Sequence, residues 1–121
     1  MLEDVGAPVP QLPALFAGIA GIAARRRVDI PVVAHAGDGN THPTIVFDPA
    51  DTAARDRAAL AFTEIMELAI SLGGTITGEH GIGRLKKELL PTQLGPRVTR
   101  LNQQIKQLLD PDDILNPGAI F

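Results

Sequence analysis

Residues 30–48 read IPVVAHAGDGNTHPTIVFD, and the way this stretch divides decides the fold. IPVVAH (30–35) and TIVFD (44–48) are rich in β-branched residues, as strands are. Between them stands Asp38-Gly39. Asp-Gly is a strong signal for a two-residue hairpin loop, because a type I′ turn needs positive φ at both central positions. With these two residues as the loop, Gly37 pairs with Asn40, Ala36 with Thr41 and His35 with His42. The alternation of a strand then places Val32, Ala34, Ile45 and Phe47 on one face, suited to a helix layer. Val33, His35, His42, Thr44 and Val46 share the other face.

On the N-terminal side, LEDVGAP (2–8) reads as a short strand ended by Pro8 and Pro10. Leu12, Leu15, Phe16, Ile19 and Ile22 then recur at the spacing of one helix face. Arg25, Arg26 and Arg27 close that helix at the negative end of its dipole. On the C-terminal side, residues 51–72 predict a helix with Ala58, Ala61, Phe62, Ile65, Leu68, Ala69 and Leu72 on one stripe. Gly73-Gly74 ends it, and TITG (75–78) reads as a fourth strand. The order β-α-β-β-α-β is that of an α+β, ferredoxin-like fold, an antiparallel sheet with helices on one face. RLKKELL (84–90) suggests a short helix. A second runs from about residue 96 to 109, with Val98, Leu101, Ile105 and Leu108 facing inward. The closing ILNPGAIF has no period and reads as a docked, extended tail. The expected division is therefore residues 1–83 for the ferredoxin-like part and 84–121 for a helical extension and tail.

Composition narrows the function. Of 121 residues, four are aromatic, all Phe, too few for a base-stacking surface. The net charge is −3, which gives no basic footprint, so nucleic acid is not an expected partner. Cysteine is absent, which excludes disulfides and thiolate metal sites. The longest apolar run, residues 12–24, falls short of the ~20 residues a bilayer span needs. Its arginines follow it, whereas a signal peptide carries its charges in front. The expectation is a cytoplasmic chain with no membrane span.

Two stretches carry more chemistry than a loop requires. In HAGDGNTH (35–42), two imidazoles directly opposite on one face have Cβ atoms about 4.5–5.5 Å apart. That is close enough to converge on one divalent metal at ~2.0–2.1 Å per bond. Taken alone, the pair also fits an ordinary surface turn. In GEHGIG (78–83), Glu79 offers a carboxylate and His80 an adjacent imidazole, which on an extended segment would point to opposite sides. Two His and one carboxylate with open positions form a catalytic metal set compatible with zinc, manganese or iron. A plain glycine turn with a solvated Glu79 would also explain this stretch. GDGN and GIG match neither a Walker A loop nor a GxGxxG fingerprint. The expected topology sets a geometric demand. The first strand lies between the hairpin and the fourth strand, so Glu79 has to reach across about 9–10 Å, over the small Gly6 and Ala7.

HAGDGNTH, GEHGIGRLK and DPDDILNPGAIF, in this order, together with the opening LEDVGAPVPQLPALF, resemble the C-terminal cap region of the FAD-linked oxidases. These are the glycolate oxidase GlcD-type subunits, D-lactate dehydrogenases and D-2-hydroxyglutarate dehydrogenases of the vanillyl-alcohol oxidase superfamily. The resemblance covers essentially the whole chain. It implies that FAD is bound mainly by a domain or subunit absent from this chain. It implies that His35, His42 and Glu79 bind a divalent metal, zinc or manganese, and that His80 is the catalytic base at the substrate hydroxyl. Relatives often carry Asn where this chain has Thr44, a substrate-binding position, and Asn116 matches a tail segment near the flavin. Lys86 matches a family lysine. The implied reaction is oxidation of a small 2-hydroxy acid, and the isolated chain is expected to be inactive and to form a homo-oligomer. The rival expectations are a non-enzymatic ferredoxin-like module that binds a small ligand or metal, and a purely structural cap.

Overall fold

The computed structural model describes residues 1–120, and Phe121 lies outside the described residues. The chain forms two compact units, Met1–His80 and Gly81–Phe121.

The first unit carries β1 (Val5–Gly6), α1 (Leu12–Arg26, entered through a 3-10 turn at Val9–Gln11), β2 (Val32–His35), β3 (Asn40–Pro43) and α2 (Thr52–Ser71). The strands form an antiparallel sheet in the order β1-β3-β2, an α+β architecture. Isolated bridges extend it at Leu2–Thr44, Asp29–Val46 and Gly6–Thr75. The helices cover the face that carries Val5, Thr41, Pro43 and Ile45, all buried. The Thr41 hydroxyl satisfies itself there by donating to the Val5 carbonyl at 2.9 Å.

α1 buries Leu12, Leu15, Ile19 and Ile22. Phe16 departs from the expected stripe and is exposed, because it sits one residue, about 100° of helix, beyond Leu15. α2 begins at Asp51, whose side chain accepts the Ala54 N–H, a standard N-cap. It buries Ala54, Ala58, Ala61, Phe62, Ile65, Met66 and Ala69. The two helices approach closely: a Cβ on Gly18 would lie 2.5 Å from Leu68. Arg25 and Arg26 both reach Glu64 of α2, and their guanidinium groups hold its carboxyl below the usual range.

The hairpin register corrects the expectation. His35 pairs with Asn40 and Val33 with His42, so the loop is four residues, 36–39, rather than two. The N–H groups of Asp38 and Gly39 both donate to the His35 carbonyl, at 3.2 and 3.0 Å. Positive φ falls on Gly39 alone (85°). A type I′ turn would need two left-handed residues, and the loop has one. The slip is two residues, an even number, so the facial sorting of the histidines survives.

The expected fourth strand shrinks to one bridge, in which Gly6 and Thr75 exchange both backbone hydrogen bonds at 2.9 Å. Beyond it the chain bends away to satisfy the Asp4 carboxylate.

In the second unit, residues 84–89 form successive turns and bends rather than a helix. α3 (Leu90–Leu109) starts earlier than expected and is broken at Gly95, φ 74° and ψ 166°, just before Pro96. Proline disfavours a helical residue before it and removes an amide donor, so the kink belongs there. Val98, Leu101, Ile105 and Leu108, expected to face inward, are exposed. The tail is bent, with left-handed Asn116, Gly118 and Ile120. It is held by Arg84 to the Pro117 carbonyl at 2.9 Å and by Ile120 N–H to the Gly83 carbonyl at 2.9 Å. No helix among the described residues is long and apolar enough to cross a membrane.

Candidate metal centre

The open face of the sheet, opposite the helices, is organised by two registers. In the β2–β3 pair, His35 and His42 sit on the same face, two residues apart along the ladder. Their rings meet edge to face with centroids 5.4 Å apart. In the β1–β3 pair, Val5 faces Thr41 and Leu2 faces Thr44, which sets Asp4 directly across from His42.

Asp4 is almost fully buried. Its Oδ2 accepts the Thr77 hydroxyl at 2.8 Å and the N–H groups of Gly78, Glu79 and His80 at 2.9, 3.0 and 2.8 Å. Burial pushes this carboxyl up. The His80 N–H, the Thr77 hydroxyl and the other two amides outweigh it and hold the carboxyl at about 2, because each bond favours the charged form. The residues from Thr77 to His80 therefore curl around one anion. That curl explains how the carboxylate of Glu79 spans the distance to the hairpin. The crossing is over glycine: a Cβ on Gly78 would lie 2.3 Å from Asn40 Oδ1. Asn40 itself pairs with Gly6, which presents no side chain.

The result is a convergent cluster. Glu79 Oε1 lies 3.1 Å from His42 Nε2 and 3.8 Å from His35 Nε2. One ligand atom from each of His35, His42 and Glu79 lies within 4.8 Å of the others. Donors on a tetrahedral zinc with ~2.0–2.1 Å bonds stand roughly 3.4 Å apart, so the two Glu79 distances bracket what a metal needs. His42 is half-buried, whereas His35 and Glu79 are exposed, leaving the outer side of the cluster open.

His80 does not leave on the opposite side, as an extended segment would have required. Its ring stacks on His42 with centroids 5.0 Å apart and planes 16° apart, and its Nε2 lies 3.8 Å from Glu79 Oε1. Successive amides aimed at one oxygen make a curl, and the alternation rule of a strand does not apply to it. Thr44 lies on the same face, one step past His42, paired with Leu2 and half-buried. An open recess of about 550 Å³, lined by Gly6, Gly39, Asn40, Thr75, Gly78 and Glu79 among others, borders the cluster. Lys86 is buried and Asn116 exposed, both in the second unit.

Reading the sequence alone singled out the histidines and Glu79 but passed over Asp4. Its one signal was an acid in a Val-containing strand with the parity of Gly6, which acquires meaning only when that strand is paired beside His42.

The family model for FAD linked oxidases, C-terminal domain, matches residues 1–120. The chain is 41% identical over 121 residues to the glycolate oxidase subunit GlcD of Bacillus subtilis (strain 168), covering all of this chain and 26% of that protein. It is 38% identical over 121 residues to the mitochondrial D-lactate dehydrogenase [cytochrome] of Arabidopsis thaliana, again over its whole length and 21% of that protein. The glycolate oxidase subunit GlcD of Escherichia coli (strain K12) is 39% identical over 111 residues, 92% of this chain and 22% of the relative. The chain thus spans about a quarter of the length of these relatives.

Proposed function

This chain belongs to the FAD linked oxidases, C-terminal domain family, and from that premise we propose that it supplies the metal ligands and the proton acceptor of an FAD-dependent 2-hydroxy-acid dehydrogenase. One observation carries the reading: His35, His42 and Glu79, from three separate segments, bring a donor atom each within 4.8 Å. The substrates proposed are glycolate, D-lactate or D-2-hydroxyglutarate, whose adjacent carboxylate and hydroxyl can chelate one ion.

His35, His42 and Glu79 hold the divalent metal, zinc or manganese. A metal held there would supply Lewis-acid polarisation at the substrate hydroxyl, and a flavin would supply the acceptor for the Cα hydride. His80, in contact with the cluster through His42, accepts the hydroxyl proton as the C–O bond becomes a carbonyl, a task suited to an imidazole. Thr44 contacts the substrate from the same face of the sheet. Asn116 borders the flavin, which is held mainly by an FAD-binding domain or subunit outside this chain. Exposed Val33 and Val46 on the open face favour self-association of the isolated chain, which sedimentation velocity would detect.

The reading is tested by titrating the chain with Zn²⁺ and Mn²⁺. Saturable one-to-one uptake is expected, abolished by His35→Ala, His42→Ala or Glu79→Gln and retained by His80→Ala. Uptake unchanged by loss of His35 or Glu79 would overturn it.

A further inference from the structure

The Asp4 carboxylate has two oxygens with different surroundings. Oδ2 collects the loop that delivers Glu79 and His80. Oδ1 stands 4.0 Å from Nδ1 of His42, the residue across from it in the sheet. That ring nitrogen is buried and makes no hydrogen bond, while Nε2 of the same ring points at Glu79. A neutral imidazole carries its proton on one nitrogen and a lone pair on the other. A lone pair on Nδ1 would face an anion across a short, dry gap. A proton on Nδ1 would be attracted to it and would leave the lone pair on Nε2, where a metal needs it.

We propose that Asp4 is the positioning residue of the metal centre: through Oδ2 it sets the curl that brings Glu79 to the histidines, and through Oδ1 it holds His42 in the Nδ1–H tautomer that frees Nε2 to ligate. The inference rests on the metal reading above and adds a residue outside the ligand set. A carboxylate behind a ligating histidine fixes its tautomer and raises its basicity, and its loss typically costs 10–100-fold in metal affinity.

Asp4→Asn separates the two duties. An asparagine turns its carbonyl oxygen to the four donors of the loop, so its NH₂ faces His42 Nδ1. That amide donates to the ring and favours the reverse tautomer, with the hydrogen on the ligating nitrogen. The experiment uses the full chain with ¹⁵N-labelled histidine, metal-free at pH 8, where an ordinary imidazole is neutral. Long-range ¹H–¹⁵N correlation reads the tautomer, and Zn²⁺ affinity is measured by competition with a chromophoric chelator. The wild-type chain is expected to show His42 protonated on Nδ1. Asp4→Asn should shift it toward Nε2–H and weaken Zn²⁺ binding by about 10–100-fold. Thr77→Val, which removes one bond to Oδ2 and leaves Oδ1 in place, should keep the tautomer. A wild-type His42 protonated on Nε2 overturns the role of Asp4 whether or not the variant folds. An Asp4→Asn chain with unchanged tautomer and affinity does the same. A wild-type chain that takes up no Zn²⁺ overturns the metal reading instead.

Discussion

Asp4 is where single residues weigh most. Its carboxyl is held at about 2, against an ordinary value of 3.8, so the folded chain binds its proton more weakly than the unfolded chain does. The stabilisation, about 2 kcal/mol by linkage, is complete above roughly pH 4 and is lost as pH falls towards 2. Urea unfolding at pH 5, 4, 3 and 2 should show this slope, and Asp4→Asn should flatten it. His80 and His35 are separated by a different test. In an enzyme that joins this chain to an FAD-binding domain, His80→Ala should slow flavin reduction by about 10²–10⁴-fold while keeping most of the metal. His35→Ala should lose both, and equal metal loss in the two would make His80 a ligand. His35, His42 and Glu79 were legible because glycine-rich loops rarely need such side chains. Asp4 was not, since its meaning depends on which residue it faces across a strand pair.

The hairpin shows how one element was read correctly in kind and wrongly in detail. Two β-branched runs around Asp-Gly announced it, and the even slip in register spared the site. What the local sequence could not convey is that Gly39 answers to β1 as well as to the turn. Its φ is 85°, and a Cβ there would lie 2.1 Å from the Ala7 carbonyl oxygen. Gly39→Ala should therefore cost more than the ~1–3 kcal/mol of left-handed strain alone, and should lower metal affinity by displacing His35. Thermal melting with a zinc titration would check both, and a fully stable variant would contradict the geometry. The fourth strand failed for a similar reason. TITG has strand propensity, but the Asp4 carboxylate on the neighbouring strand takes the Thr77 hydroxyl and the Gly78 N–H, and the pairing stops at the Gly6–Thr75 bridge. In α3 the period was real, while the inward face assigned to it was not, because periodicity does not say what a face packs against.

At the scale of the whole molecule, the chain accounts for 21–26% of the length of the relatives compared. The proposed metal ligands lie within Met1–His80, while the proposed hydride acceptor would be held outside this chain. The purified 121-residue chain should accordingly be colourless and give no dye reduction with glycolate, D-lactate or D-2-hydroxyglutarate, yet bind zinc. A yellow preparation with turnover would show that the division of labour is wrong. The order of motifs along the chain made the family legible. The exposure of Val98, Leu101, Ile105 and Leu108 did not follow from the sequence, since an amphipathic stripe is written identically whether or not its partner is part of the same chain.

The curl of amides around Asp4 has a consequence for which ion the proposed centre would take. The loop is tied to a carboxylate of the protein, so a metal taken up there should find its ligands already placed. A preformed two-imidazole, one-carboxylate set with an open outer side imposes little geometric discrimination, so affinity should follow the Irving–Williams order, with Zn²⁺ ahead of Mn²⁺. Occupancy then becomes a matter of supply: chains made in zinc-rich and manganese-rich media should share one backbone and carry different ions.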